Sequence, residues 1–264
     1  MGCQAGPNRT ALGLCLLLAL AGCKRREPRL PPTPYPKAKL AYRVGNCVFM
    51  DLTHSGEPEK GRCFGLAGEP MLAHDFDGNG TADLAVWRAG VLLIDSANDG
   101  GSHETALDLG DVSGASQLVV ADFTGTADHR QAAAVAVRRG HRLHLVGAPP
   151  ASAERSFGDG EGEYFAGRWQ PQAPARLGVR HGECVDLDLD GDDQPDRRLC
   201  YPDLGAIDQV LVGDWNGDGR DDLLLRRGPC VFVDSRLDGT HPEQQCFGEG
   251  KGATDYFAGS WDGH

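Results

Sequence analysis

Val212-Gly-Asp-Trp-Asn-Gly-Asp-Gly-Arg-Asp-Asp-Leu-Leu-Leu-Arg-Arg-Gly228 is a short apolar run, an acidic turn rich in glycine, and a second apolar run. Outward from it, strands are expected at Gln209 to Trp215, Asp222 to Arg226, Cys230 to Asp234 and Gln244 to Phe247, separated by Gly, Asp and Asn turns. The opening of this unit recurs as Ala73-His-Asp-Phe76, Ala121-Asp-Phe123, Ala166-Gly-Arg-Trp169 and Ala258-Gly-Ser-Trp261. Asp75, Asp122, Arg168, Asp214 and Ser260 stand 47, 46, 46 and 46 residues apart. A four-stranded unit of this length cannot bury its own apolar faces, so it stacks on its neighbours, as the blades of a β-propeller do.

The two ends of the repeat region complement one another. The segment from Leu40 to Gly65 reads as strands two to four without a first, and the chain stops at His264 just after a first-strand signature. The expected fold is all-β, a propeller of about five four-stranded blades over residues 40-264, closed by the C-terminal strand beside the N-terminal ones. Closure removes sheet edges that would otherwise pair with other chains. An open β-solenoid or a truncated gene is the competing reading.

Six of the nine cysteines fall in pairs sixteen residues apart: Cys47 and Cys63, Cys184 and Cys200, Cys230 and Cys246. Each pair opens on Gly-x-Cys-Val-x-x-Asp and has an aromatic after its second cysteine, Phe64, Tyr201 or Phe247. The equal spacing predicts three local disulfides joining strand three to strand four in an oxidising compartment. No C-x-x-C suggests a metal alternative. In the second unit Val91 and Leu107 stand at the same spacing and are expected to pack across the strands.

The chain of 264 residues has Lys+Arg 26 against Asp+Glu 38 and a net charge of -12, which argues against a nucleic-acid partner. No apolar run reaches the ~18 residues of a membrane helix. Residues 1-22 read as a secretory signal whose apolar run, Ala11 to Ala21, ends in Leu20-Ala-Gly-Cys23. That ending resembles a bacterial lipobox, which implies that Cys23 is lipidated and that the protein is lipid-anchored on the extracytoplasmic side of the cell envelope. Residues 23-39 form a proline-rich tether in which Lys24, Arg25, Arg26, Arg29, Lys37 and Lys39 face only Glu27, a charge suited to anionic headgroups. The body behind it is correspondingly more acidic.

Two turns concentrate that acidity. Asp75, Asp77, Asn79, Thr81 and Asp83 alternate along one, and Asp214, Asn216, Asp218, Arg220 and Asp222 along the other. Hard side-chain oxygens at positions 1, 3, 5 and 9, with a backbone carbonyl from Thr81 or Arg220 at position 7, suit Ca2+. A turn needs one such residue, whereas several converging carboxylates repel one another without a cation. Strand residues follow where an EF-hand would need a helix. Asp188, Asp190, Asp192, Gln194 and Asp196 repeat the spacing, with Asp193 in place of a glycine and the Gln194 carbonyl at position 7, and give a third candidate. Asp122 to Asp128 is two residues shorter, and Arg168 and Arg176 occupy positions 1 and 9 of the fourth unit, so neither is expected to hold metal.

The repeat in Val212 to Gly228 is similar to the FG-GAP and VCBS-type families, whose β-propeller loops of the form D-x-D-G-D-G-x-x-D bind calcium. The resemblance covers nearly all of residues 40-264, is specific in two units, and weakens over residues 118 to 205. It implies a surface module contacting glycan or protein, with structural calcium; an assembly scaffold in the envelope is the alternative. Catalytic motifs of the Gly-x-Ser-x-Gly, His-Glu-x-x-His, P-loop and Rossmann types do not occur, and the carboxylates recur by period where a glycosidase would single out a pair. The chain is therefore expected not to be an enzyme. His141 and His144, beside Arg138, Arg139 and Arg142, read as surface residues. Trp87, Trp169, Trp215, Trp261, Tyr164 and Tyr256 would offer sugar-stacking faces if exposed, and blade packing if buried.

Overall fold

The computed structural model describes residues 37–123, 133–147 and 153–262. The signal segment, Cys23, the tether up to residue 36, and Asp128 lie outside them. Among the described residues the regular structure is all strand, in five antiparallel sheets of four. Blade 1 runs β20 (Tyr256–Gly259), β1 (Lys39–Val44), β2 (Cys47–Met50), β3 (Lys60–Cys63). Blade 2 has β4 (Met71–His74), β5 (Asp83–Arg88), β6 (Val91–Asp95) and β7 (Thr105–Asp108). Blade 3 has β8 (Gln117–Ala121), β9 (Ala134–Arg139), β10 (Arg142–Leu145) and β11 (Glu154–Ser156). Blade 4 has β12 (Glu163–Gly167), β13 (Arg176–His181), β14 (Cys184–Leu187) and β15 (Arg197–Cys200). Blade 5 has β16 (Gln209–Gly213), β17 (Asp222–Arg227), β18 (Cys230–Asp234) and β19 (Glu243–Cys246).

The first strands β4, β8, β12, β16 and β20 neighbour one another in a closed ring. The predicted closure is present: β20 pairs with β1 from Lys39 opposite Gly259 to Tyr42 opposite Tyr256. Five backbone bonds tie each blade to the next at one end of the ring. The donors Ala38, Ala82, Ala133, Ala175 and Asp221 reach the carbonyls of Asp214, Ser260, Asp75, Asp122 and Arg168 at 2.6 to 2.8 Å. These acceptors are the residues whose spacing defines the period.

The core is divided in the same way, with one apolar layer per blade interface. Leu143 and Phe157 of blade 3 meet Tyr164 and Leu177 of blade 4, and Leu187 and Tyr201 of blade 4 meet Leu223 and Leu225 of blade 5. Both faces of each second strand are buried, which explains runs such as Leu223-Leu-Leu225 without polar alternation.

Each cystine joins residues directly opposite one another on strands three and four, with Cα separations of 3.8, 4.0 and 3.9 Å. The flanking bonds, such as Phe64 N–H to Asn46 O at 2.9 Å, mark these as non-hydrogen-bonded pairs, where side chains stand closest. The expected Val91 and Leu107 pair is corrected: Val91 faces Asp108, and Leu107 faces Leu92. The loop joining β6 to β7 has one extra residue, so equal spacing no longer means equal register.

An Arg-x-Gly motif closes every second strand; Arg88 of blade 2 ends its strand and pairs with Glu69, whereas the arginine stands one residue before the strand's end at Arg43, Arg138, Arg180 and Arg226. Each guanidinium donates to the carbonyl of its own Gly45, Gly140, Gly182 or Gly228 at 2.7 to 3.1 Å. Opposite them stand Asp255, just before β20, and Gln117, Glu163 and Gln209 on the first strands. The last three also reach forward to the next blade, as in the Gln209 Nε2 bond to Tyr256 O at 3.0 Å.

Candidate functional site

Strands alternate in direction within each blade, so the loops joining strands one to two and three to four share one face of the ring. All three candidate metal loops lie on that face. Asp75, at the end of β4, accepts N–H bonds from Gly78, Asn79 and Gly80 at 2.7 to 3.1 Å, so the loop wraps around its carboxylate. Gly78 and Gly80 take φ of 79° and 89°, the left-handed region that this wrapping requires. Asp83, at the start of β5, is fully buried and takes Phe76 N–H at 2.8 Å and Asn98 Nδ2 at 3.1 Å. Oxygens of Asp75, Asp77 and Asp83 all lie within 4.8 Å of one another. Oxygens 2.3–2.6 Å from one calcium ion fall within such a span, so the donor set fits. Burial pushes the Asp75 carboxyl up and the Asp83 carboxyl to about 7, with the neighbouring carboxylates adding to both.

The Asp214 loop has the same wrapping, with Gly217, Asp218 and Gly219 N–H groups on Asp214 at 2.6 to 3.1 Å. Asp222 is 1% exposed, and its Oδ1 has no hydrogen-bond partner while Oδ2 takes Trp215 N–H at 2.8 Å. Burial and the Asp214 charge raise its carboxyl to about 7. A cation would satisfy that orphaned oxygen. Asp218, however, is held by its neighbour Arg220 at 2.8 Å.

The third loop also assembles. Asp188, Asp190 and Asp196 offer oxygens within 4.8 Å, and Asp188, 1% exposed, has an unpartnered Oδ2. Asp192 and Gln194 stay at the exposed rim of the loop. Asp193 adopts φ of 63°, supplying the turn expected of glycine, and sends its carboxylate to Arg155 of blade 3 at 2.9 Å. Arg176 packs against Gly191 and its charge acts on Asp188, so this site already has a cation nearby.

Arg168 stands where the first metal-loop carboxylate would be in blade 4 and pairs with Asp122 of blade 3 at 3.2 Å. The loop therefore has a side-chain cation at its head. A further cluster, Asp95, Asp99 and Glu104, was not expected. Asp95 occupies the same place after strand three as Asp51, Asp188 and Asp234, and all four are buried. Asp51, Asp95 and Asp234 each gather the N–H groups of the loop that follows. The previous blade adds a donor to two of them: Gln245 to Asp51 at 2.6 Å and Tyr201 to Asp234 at 2.8 Å. The closing Asp of Gly-x-Cys-Val-x-x-Asp was the available signal.

Of the six aromatics proposed for sugar stacking, Trp169, Trp261, Tyr164 and Tyr256 are 3%, 2%, 1% and 1% exposed and fill blade interfaces. Trp87 and Trp215 are half-buried, Trp215 edge-on to His54 and bonded through Nε1 to Glu243 at 3.0 Å. The tryptophans and tyrosines thus serve mainly packing. A channel of ≈ 380 Å³ runs between the first strands, with His74, Arg168 and Ser260 toward the acidic face and Gln117, Glu163 and Gln209 toward the other. Burial holds His74 down at about 4, so it is neutral at physiological pH. His144 pairs with Glu154 at 2.7 Å and His141 is exposed in the hairpin turn, as surface residues would be.

No protein-family model and no curated protein matches the chain. Among solved structures it is similar to a lectin from Agrocybe aegerita that recognises non-reducing terminal N-acetylglucosamine (13% identity, 81% of this chain and 77% of that one, TM-score 0.44). It is similar to BBS1N in complex with ARL6DN (14% identity, TM-score 0.37), covering 74% of this chain and 62% of that one. Hsv2 from Kluyvelomyces marxianus is likewise similar (11% identity, 84% of this chain and 64% of that one, TM-score 0.35).

Proposed function

We propose that the protein is a non-catalytic binding module, a calcium-stabilised propeller lipidated at Cys23 and held on the extracytoplasmic side of a bacterial envelope, presenting a rigid surface to a glycan or protein ligand. The three cystines fit an oxidising compartment. The observation that carries the reading is the periodic use of the carboxylates: the buried acids head or close loops that recur from blade to blade, and their partners are loop amides and, for Asp51 and Asp234, the previous blade. Such acids shape a surface. Calcium is supported by the convergence of Asp75, Asp77 and Asp83 and by the orphaned oxygens of Asp222 and Asp188. Because most aromatics are buried, ligand recognition rests on polar and charged groups.

The test is binding of the purified chain to a broad glycan array, cell-wall fragments included, with calcium and again with a chelator. Calcium-dependent binding to one glycan class supports the module as a lectin. Binding to nothing there, together with failure to capture a protein partner from envelope extracts, would overturn it. Cys23→Ser should release the protein from the membrane fraction.

A further inference from the structure

Blade 3 departs from the three cystine-bearing blades at one informative place. The positions that hold cystines in blades 1, 4 and 5 hold Arg142 and Ser156 here, directly opposite one another on β10 and β11. Across the hairpin on the other side, Arg142 faces Arg139. Two arginines directly opposed in an antiparallel pair repel. Arg139 is fixed by the carbonyls of Ser113, at 2.9 Å, and Asp111. Arg142 is exposed and, among the described residues, has no hydrogen-bond or ion-pair partner.

Arg139, Arg142 and Ser156 line a groove of ≈ 700 Å³ walled mainly by blade 3, with Leu109 to Asp111 from the blade 2 side and Asp193 from blade 4. Arg139, Arg142 and Ser156 form one row on its wall, and Val137, His144 and Glu154 the next row on the same face. β9, β10 and the hairpin between them contain no acid, in a chain whose net charge is -12. A position used elsewhere for a covalent staple is thus given to an unpaired cation and a hydroxyl, aimed into a cleft.

We propose that this groove is an anion-reading subsite for an acidic glycan, with Arg142 and Arg139 taking a sugar carboxylate and Ser156 an adjacent hydroxyl. The inference rests on the binding-module reading above and names its ligand class. An arginine fork matches a carboxylate in two parallel hydrogen bonds. Asp111, Glu154 and Asp193 also line the groove, Glu154 paired with His144 and Asp193 with Arg155, each carboxylate keeping further acceptor positions. A polyol with spaced carboxylates supplies hydroxyl donors to those acids, whereas a run of acidic peptide residues would be repelled by them. The groove needs no stacking platform, consistent with the burial of the aromatics.

The purified full-length chain is titrated calorimetrically with tetragalacturonate, with its fully methyl-esterified form, and with tetraglutamate. Binding of tetragalacturonate alone, weakened about tenfold or more by Arg142→Gln, is the expected result. Because Arg142 is exposed and opposes Arg139, that variant should melt no lower than the wild type. A second variant, Arg142→Cys with Ser156→Cys, introduces the staple of blades 1, 4 and 5; once oxidised it should melt higher and bind none of the probes. Absence of tetragalacturonate binding by the wild type, or equal binding by the Gln variant, overturns the proposal. Tighter binding of tetraglutamate would assign the groove to acidic peptides and defeat the glycan assignment. A chain that binds an array glycan with this groove inert would sink this inference alone and leave the module reading standing.

Discussion

Asp75 shows what one carboxylate does in this fold: its two oxygens collect three loop N–H groups and hold the oxygens of Asp77 and Asp83 nearby. Calcium added at a hundredfold excess over its Kd should therefore stabilise the protein by about 2.7 kcal/mol per site. Asp75→Ala should remove one site's share of that gain, read by calorimetry with calcium and with chelator; a melting temperature indifferent to chelation would refute calcium at these loops. A second residue-scale prediction concerns Glu69, whose carboxyl is held down at about 2 chiefly by its hydrogen bond to Arg88. A depressed carboxyl contributes stability in full above its ordinary value near 4.5 and loses it as pH falls toward 2. Glu69→Gln should thus melt lower than wild type at neutral pH, with the difference closing between pH 4.5 and 2 in a series of melts. The acidic turns were legible because Asp, Asn and Gly alternate within nine residues. The roles of Asp51, Asp95 and Asp234 were not, since a lone Asp after a strand looks like any turn former and its further donors, Gln245 or Tyr201, arrive from another blade.

Strands and loops show the same division between local and distant information. The four strands of blade 5 match their expected positions to within one or two residues, because apolar runs and turn residues are local. The cystine register was readable from spacing only while loops keep one length, and blade 2 broke it with a single residue. Removing one staple by Cys230→Ser with Cys246→Ser should cost about 3 kcal/mol in the chain-entropy model. For a domain of this size that lowers the melting temperature by roughly 6–12 °C, and a thermal melt showing no decrease would count against the staple as a source of stability. Close contact between elements gives a sharper case. A Cβ on Gly213, at the end of β16, would stand 2.7 Å from the Cβ of Ala38 at the entrance to blade 1. Gly213→Ala should therefore destabilise by about 1–3 kcal/mol through overpacking, measured by denaturant titration.

At the scale of the whole molecule the complementarity of the two chain ends was the most informative reading, since a missing first strand at one end and a surplus first strand at the other can meet only in a ring. What it could not supply was the energy of that meeting. β20 pairs fully with β1, Ser260 O accepts Ala82 N–H at 2.6 Å, and Trp261 Nε1 donates to Lys39 O at 3.0 Å. Tyr256, Phe257 and Trp261 are 1%, 8% and 2% exposed. Each such ring buries about 150–250 Å², worth about 4–6 kcal/mol at ~25 cal/mol/Å² as an upper bound. Together they rival the ~5–15 kcal/mol that holds a whole domain folded. A chain ending at Asp255 should therefore lose its cooperative melt and expose the β1 edge to association, seen by near-ultraviolet circular dichroism and gel filtration. A permuted chain in which residues 256–264 precede residue 37, with its new ends between Asp255 and Tyr256, keeps every one of those contacts and turns the closure into an ordinary blade connection. It should melt as cooperatively as the natural order. If the truncated chain melts like the intact one, the ring is not what holds the blades together; if the permuted chain fails while the intact one folds, closure depends on the order of synthesis and not on the contacts alone.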